Sequence, residues 1–133
     1  MVARAGSNAH QSKICSIKNV MLTNRLDKWD YFKGQTDTLA YLLTLLQDHT
    51  KEYTCASILD EIHAFIYEDL PESSHFYISG RKDTLRCIQR MFLPLDHVLE
   101  AHDIERLYRY FSDMQDGGMQ ELRGILKGFV YNK

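Results

Sequence analysis

The clearest structural signal in this sequence is the stretch of residues 36–47, TDTLAYLLTLLQ. Its leucines recur at the three- and four-residue spacing of one face of an α-helix. The four positions are Leu39, Leu42, Leu43 and Leu46. Thr36 and Asp37, at the start, are both residue types that cap helix N-termini. The stretch therefore predicts an amphipathic helix over residues 36–50, with its leucine face turned toward a core.

The chain on either side of this helix continues with helical periodicity. Residues 13–32 carry apolar side chains mostly three or four positions apart, which predicts a helix that Gly34 ends. Residues 54–70 repeat the pattern, with Thr54 as the N-cap and Pro71 as the residue that closes the helix. The first half of the chain is therefore predicted to be helical.

The second half of the chain contains the one β candidate that we identify. Residues 75–79, HFYIS, are aromatic and β-branched, so they predict at most one short β element, which Gly80 ends. Helical spacing then returns in three further segments, residues 81–92, 95–113 and 119–130. Pro94 and the pair Gly117-Gly118 separate these segments.

These elements together predict an all-α fold, either a compact bundle or an orthogonal array of five to six helices. A length of 133 residues indicates a single domain. We expect residues 1–12 to be a flexible N-terminal arm and residues 13–133 to be one helical domain. The predicted core residues are Leu42, Leu43, Ile62, Ile66, Leu85, Ile88, Leu107, Phe111, Leu122 and Phe129.

The composition excludes several classes of protein. With 44% hydrophobic residues, seven glycines and two prolines, the chain is neither collagen-like nor mostly disordered. Cys15, Cys55 and Cys87 are far apart, and we expect them to be reduced thiols. We find no secretory signal and no apolar run of roughly 18 residues, so the sequence predicts no membrane partner and a reducing, cytoplasmic location.

Charge is segregated along the chain although the net charge is only −2. Residues 1–34 hold six basic and two acidic residues, whereas residues 35–79 hold one basic and eight acidic residues. This pattern predicts an acidic helical face that docks on a basic surface of another protein, or one that lies against the basic N-terminal segment of the same chain. The residues predicted to contact the partner are Asp60, Glu61, Glu68, Asp69 and Glu72.

A basic ridge supports a second hypothesis, a nucleic-acid-binding regulator. Lys82, Arg86 and Arg90 follow one another at four-residue intervals, which aligns them on one helical face. Arg81 lies beside them at the predicted start of a helix, where free backbone N–H groups attract anions. The ridge therefore predicts contact with phosphate groups, or alternatively an ion-paired face within the molecule.

A third hypothesis comes from Arg90 and His97, which have six residues between them. This spacing resembles the active-site spacing of HEPN-type helical ribonucleases, and the resemblance covers eight residues of the chain. It implies that His97, near the start of a helix, assists attack by a ribose 2′-hydroxyl group.

Other chemistry has little support in the sequence. The histidines and cysteines lack the close pairs of a metal site, so we expect no metal and no cofactor. Cys55 follows a helix cap, and we expect it to be buried rather than nucleophilic. The leading hypothesis is therefore a non-enzymatic helical interaction protein, such as a regulator, inhibitor, immunity protein or adaptor. Its amphipathic helices are also compatible with a homodimer.

Overall fold

The computed structural model describes residues 25–48, 52–68 and 74–131. Within them the chain forms four helices: α1 (Arg25–Leu46), α2 (Cys55–Tyr67), α3 (His75–Met91) and α4 (Ala101–Tyr131). The described residues contain no strand, and one isolated antiparallel bridge joins Thr54 to Val98. The all-α prediction is therefore confirmed, with four helices in the described part of the chain where five to six were expected overall. The predicted N-terminal arm, residues 1–12, lies outside that part.

Helix α1 continues through Gly34, so the helix end predicted there is wrong. A Cβ atom added to Gly34 would collide with the backbone carbonyl oxygen of Tyr77 on α3. Gly80 on α3 mirrors this contact, because a Cβ atom there would collide with the carbonyl oxygen of Tyr31 on α1. These two glycines let the backbones of α1 and α3 touch, a requirement of tertiary packing that local sequence rules do not include.

Helix α3 occupies the region for which the sequence predicted a β element at residues 75–79. Ser74 is its N-cap, and the Ser74 hydroxyl accepts a hydrogen bond from the backbone N–H of Tyr77 at 3.1 Å. The predicted strand is therefore wrong, as is the predicted helix start at Arg81. A capped helix packed through Gly80 outweighs the β propensity of aromatic and branched side chains.

Helix α4 runs antiparallel to α1 along its length. Near the start of α4, Tyr108 contacts Gln47 at the end of α1. Near the end of α4, Leu122 shares a buried cluster with Phe32 from the start of α1. Between these points Gly118 packs on the Thr36 side chain, and the helix continues without a break. The interruption predicted at Gly117-Gly118 is therefore wrong, because Gly118 again serves close helix packing.

The loop between α3 and α4 closes the start of α2. The carbonyl oxygen of His97 accepts a hydrogen bond from the backbone N–H of Cys55 at 3.0 Å. The carbonyl oxygen of Leu95 accepts one from Ala56 at 2.8 Å. These bonds satisfy N–H groups that a helix start otherwise leaves without partners. This loop therefore contains a turn and an isolated bridge where the sequence predicted a helix.

Side-chain caps define the starts of α2 and α4. At α2, Thr54 accepts from the backbone N–H of Ser57 at 3.1 Å, and Ser57 accepts from that of Thr54 at 2.8 Å, which confirms the predicted cap. At α4, the carboxylate of Asp103 accepts from the backbone N–H of Glu100 at 3.0 Å. The helix predicted from residue 95 therefore begins at Ala101.

The core contains every predicted core residue whose side chain the structure describes. The buried ones are Leu42, Leu43, Ile62, Ile66, Leu85, Ile88, Leu107, Phe111 and Leu122. The side chain of Phe129 lies outside the described set. Cys55 is a buried free thiol as expected, whereas Cys87 is disulfide-bonded, so the expectation of a reduced thiol is wrong at Cys87. No helix among the described residues combines the length and apolarity needed to cross a lipid bilayer.

Candidate partner-binding surface

Three carboxylates and two tyrosines form a connected surface along α1 and α2. The Tyr41 hydroxyl donates to Glu61 at 3.5 Å, and the Tyr53 hydroxyl donates to Asp48 at 3.4 Å. Burial and then the charge of Glu61 raise the pKa of Tyr41, and Glu68 raises it further. Burial, Asp48 and Glu61 raise the pKa of Tyr53. Asp48 and Glu61 each accept a hydrogen bond from one of these tyrosines, and Glu68 follows at the end of α2; these three carboxylates are the acidic strip.

Helix α2 carries most of the acidic face that the sequence predicted. Asp60 and Glu68 are exposed, Glu61 is half-buried, and the helix contains no lysine or arginine. Two further residues predicted for this face lie outside the described residues: Asp69 and Glu72. The sequence analysis missed Asp48, because it follows the end of α1 and reaches the strip only through tertiary packing with Tyr53.

A groove of about 780 Å³ adjoins the acidic strip at Asp48. It lies between the end of α1, residue 52 and the first half of α4. Its rim carries four carboxylates: Asp48, Glu52, Glu105 and Asp113. A hydrogen bond of 2.9 Å from the Gln47 side-chain amide to the Tyr108 hydroxyl links α1 to α4 beside it. No sequence pattern predicted this groove, because its residues come from three separate segments.

Arg81, predicted to bind nucleic acid or another anion, is instead buried against the end of α2. Its guanidinium lies 4.2 Å from the centre of the Phe65 ring and 4.9 Å from that of Tyr77. It donates to the carbonyl oxygens of Phe65 at 2.7 Å and Ile66 at 3.4 Å, and to the Tyr77 hydroxyl at 2.9 Å. Arg81 therefore caps the negative end of the α2 dipole, and its guanidinium is engaged within the fold rather than at the start of a helix as predicted.

The three residues of the basic ridge, Lys82, Arg86 and Arg90, are partly accessible. Lys82 is half-buried, with its Nζ atom 5.7 Å from the centre of the Tyr67 ring. Arg86 is exposed and pairs with Asp83 on the same helix. Arg90 is exposed in the last turn of α3. Part of this basic charge is therefore engaged within the molecule.

Two tyrosines at the α1–α3 crossing also meet carboxylates. The Tyr31 hydroxyl donates to Asp83 at 2.7 Å, and burial followed by this bond raises the pKa of Tyr31 well above its usual value. The Tyr77 hydroxyl donates to Asp37 at 2.6 Å, and burial followed by this bond raises the pKa of Tyr77. Lys33 pairs with Asp37 at 2.8 Å. The carboxylates at the crossing are thus both hydrogen-bonded and ion-paired.

His97, half of the ribonuclease-like pair, lies in the loop between α3 and α4. Its Nε2 atom lies 2.8 Å from Oδ2 of Asp103. The backbone N–H of Glu100 and then the contact with His97 lower the pKa of Asp103. The helix start expected at His97 is wrong, because α4 begins four residues later. Arg90, the other half, lies on a different element, the end of α3, and the described contacts of His97 are those of a capping cluster.

Cys55 lies close to His97 and Asp103, an arrangement that in other proteins activates a thiol. Here the contact with His97 is through the backbone alone, and the thiol is buried. Burial, then the charges of Asp103 and Asp96, raise the pKa of Cys55. A nucleophilic cysteine needs a lowered pKa and an accessible sulfur, so this environment favours the neutral thiol.

No group of three or more histidine, cysteine, aspartate or glutamate side chains within residues 25–48, 52–68 and 74–131 could hold a metal ion. Fold and surface together describe an all-α protein with an acidic, tyrosine-lined face beside a groove. Comparison of the chain with protein-family models, with curated proteins and with solved structures found no match.

Proposed function

We propose that this protein is a non-enzymatic binding protein that docks on a basic surface of another protein through the acidic strip and the neighbouring Asp60. The observation that carries the proposal is the hydrogen bonding of Glu61 to the Tyr41 hydroxyl and of Asp48 to the Tyr53 hydroxyl, with the exposed Glu68 at the end of α2. The half-buried Tyr41 supplies rigid contact area at a small entropic cost. Carboxylates beside it supply orientation and a faster encounter with a positively charged partner.

The pairing of basic side chains elsewhere in the molecule supports this proposal. Lys33 pairs with Asp37, Arg86 pairs with Asp83, and Arg81 caps α2. These cations are engaged at or near the α1–α3 crossing and are not paired with the acidic strip. Within the described residues α2 contains no lysine or arginine, and neither Glu61 nor Glu68 has an ion pair, which supports an external partner for the negative charge of these two residues.

Site-specific crosslinking tests the proposal directly. A photo-crosslinking amino acid replaces Asp60 in the full chain, and the matched control carries it in place of Asp116, an exposed carboxylate on α4. We expect a protein crosslinked from position 60 and not from position 116. Affinity for that protein should fall about tenfold or more in the double variant Glu61→Lys, Glu68→Lys, and much less in Asp116→Lys.

The nucleic-acid and ribonuclease hypotheses are outcomes of the same test. Unchanged partner affinity in the double variant contradicts the proposed site. RNA or DNA that co-purifies, is released by salt, and is lost in the double variant Arg86→Glu, Arg90→Glu would replace it with the basic ridge. RNA cleavage that disappears in a folded His97→Ala variant would instead support the ribonuclease hypothesis.

A further inference from the structure

The groove beside the acidic strip has an apolar floor beneath its charged rim. Buried Leu46 and Leu99 and half-buried Ile104 supply the floor. The four rim carboxylates are Asp48, Glu52, Glu105 and Asp113. Among the described lining residues Arg109 is the single base, and its guanidinium lies 3.9 Å from Glu105. The groove therefore combines apolar surface with an excess of negative charge.

The elements around the groove are held in place by hydrogen bonds across the fold. Gln47 at the end of α1 donates to the Tyr108 hydroxyl of α4 at 2.9 Å. The backbone N–H of Leu99 donates to the carbonyl oxygen of Tyr53 at 2.8 Å. A groove that is already formed before binding loses less conformational entropy when a ligand enters it.

We propose that this groove receives an amphipathic helical segment, rich in lysine or arginine, of the partner protein. The proposal rests on the proposed function and names the chemistry of the partner. A volume of about 780 Å³ lies within the range of clefts that bind small ligands and the anchoring side chains of a peptide. The apolar face of the segment covers Leu46, Leu99 and Ile104, as in helix-in-groove recognition. Its basic side chains meet the rim.

Charge and apolarity each exclude other occupants. An acidic segment would bring like charges together at the rim, which costs free energy. A basic segment without an apolar face would leave the floor exposed to water and forgo the stabilisation of about 25 cal/mol per Å² that burial provides. Only a segment with both properties satisfies the floor and the rim together.

A titration followed by NMR tests this proposal on the isotope-labelled full chain. The probe is a synthetic peptide of about 18 residues, five helical turns long, with leucines on one face and lysines on the other. We expect the resonances of Leu99, Ile104 and Tyr108 to shift. Ala101→Phe, which places a ring at the exposed edge of the groove without changing charge, should weaken binding about tenfold or more.

Matched variants distinguish the contribution of the charged rim to peptide binding from that of the apolar floor. The double variant Glu105→Gln, Asp113→Asn should weaken binding to a similar extent and reduce its salt dependence, whereas Asp116→Asn should leave binding unchanged. A peptide with glutamate in place of lysine should not bind. Ser112→Phe, at another lining position, repeats the steric test if Ala101→Phe does not fold, as judged by circular dichroism.

Two results would overturn the groove proposal. One is peptide binding that persists in the ring-bearing variants or that shifts resonances away from the groove. The other is full competition by spermine, a polycation with no apolar face, which would show that charge alone is recognised. Either result leaves the acidic-strip proposal standing, because the crosslink from position 60 and the Glu61 and Glu68 substitutions test that proposal separately.

Discussion

The α1–α3 crossing and the acidic strip use the same pair of groups, a tyrosine hydroxyl and a carboxylate, in opposite ways. At the crossing, each carboxylate also has a cation, since Asp83 pairs with Arg86 and Asp37 pairs with Lys33. Along the strip, Glu61 and Glu68 have no ion pair among the described residues. At the crossing, the carboxylate charges are balanced by cations of the same molecule. Along the strip, the charges of Glu61 and Glu68 remain unbalanced by any described residue.

Burial explains why Asp83 and Glu68 differ. Asp83 is buried, and a carboxylate removed from water is costly unless it is paired and hydrogen-bonded. Glu68 is exposed, so water solvates it and no internal cation is required. The comparison therefore predicts that substitutions at the crossing destabilise the fold, whereas substitutions in the strip change binding with little effect on stability.

The largest expected effect is at the close contact of α1 with α3. Gly80→Ala should lower the free energy of unfolding by about 3 kcal/mol, because the added methyl group meets the Tyr31 backbone and forces the helices apart. Gly124→Ala is the matched control, since nothing lies within 4 Å of its Cβ position. It should stabilise the helix by about 0.5–1 kcal/mol. Urea unfolding measures both, and equal effects would contradict close packing at Gly80.

Arg81 should give the next largest effect. Arg81→Met keeps most of the side-chain volume but removes the donors to the Phe65 and Ile66 carbonyls and to the Tyr77 hydroxyl. We expect a loss of about 2 kcal/mol, because buried acceptors lose their partners. Arg90→Met, at an exposed position, should change stability by less than about 0.5 kcal/mol. If the two variants unfold alike, Arg81 does not have the capping role assigned to it.

These two regions also show what the sequence could and could not predict. Helical periodicity identified the leucines of α1 and the buried residues of α2, because the spacing of apolar residues is a local property. Gly34, Gly80 and Gly118 were misinterpreted as breaks, because their role depends on a second helix distant in sequence. Glycine in a helical pattern signals either an end or a close contact, and the sequence alone does not distinguish them.

The candidate site was predictable only in part, for the same reason. The acidic residues of α2 lie on one element, so Asp60, Glu61 and Glu68 could be identified from the segregation of charge. Asp48 reaches them through the fold, and the groove is assembled from separate segments. Arg81 was predicted to bind an anion at the start of a helix, whereas its surroundings are set by the end of α2.

A smaller effect, dependent on pH, is expected at the start of α4. The pKa of Asp103 is lower in the folded protein than in the unfolded protein. The ionised carboxylate therefore stabilises the fold at pH values above the unfolded pKa, and this stabilisation is lost as the pH falls through the folded pKa. Asp103→Asn should therefore cost about 1 kcal/mol at pH 7, as for other caps. Its unfolding free energy should approach that of the wild type in acid. Urea unfolding across this pH range, with Asp116→Asn as control, measures the difference in unfolding free energy between the wild type and Asp103→Asn. A difference that stays constant with pH would contradict the prediction.

The smallest effect on stability is expected in the acidic strip, at Glu61→Gln. The hydrogen bond from Tyr41 to Glu61 is long, 3.5 Å, and Glu61 has no ion pair among the described residues. We expect stability to change by less than about 0.5 kcal/mol. The pKa of Tyr41 should nevertheless fall, because Glu61 is, after burial, the strongest influence that raises it. Spectrophotometric titration of tyrosine ionisation measures this pKa, and comparison with Tyr41→Phe identifies the signal that belongs to Tyr41. A stability loss as large as that of Arg81→Met would make Glu61 part of the structural framework and remove the distinction between the two regions.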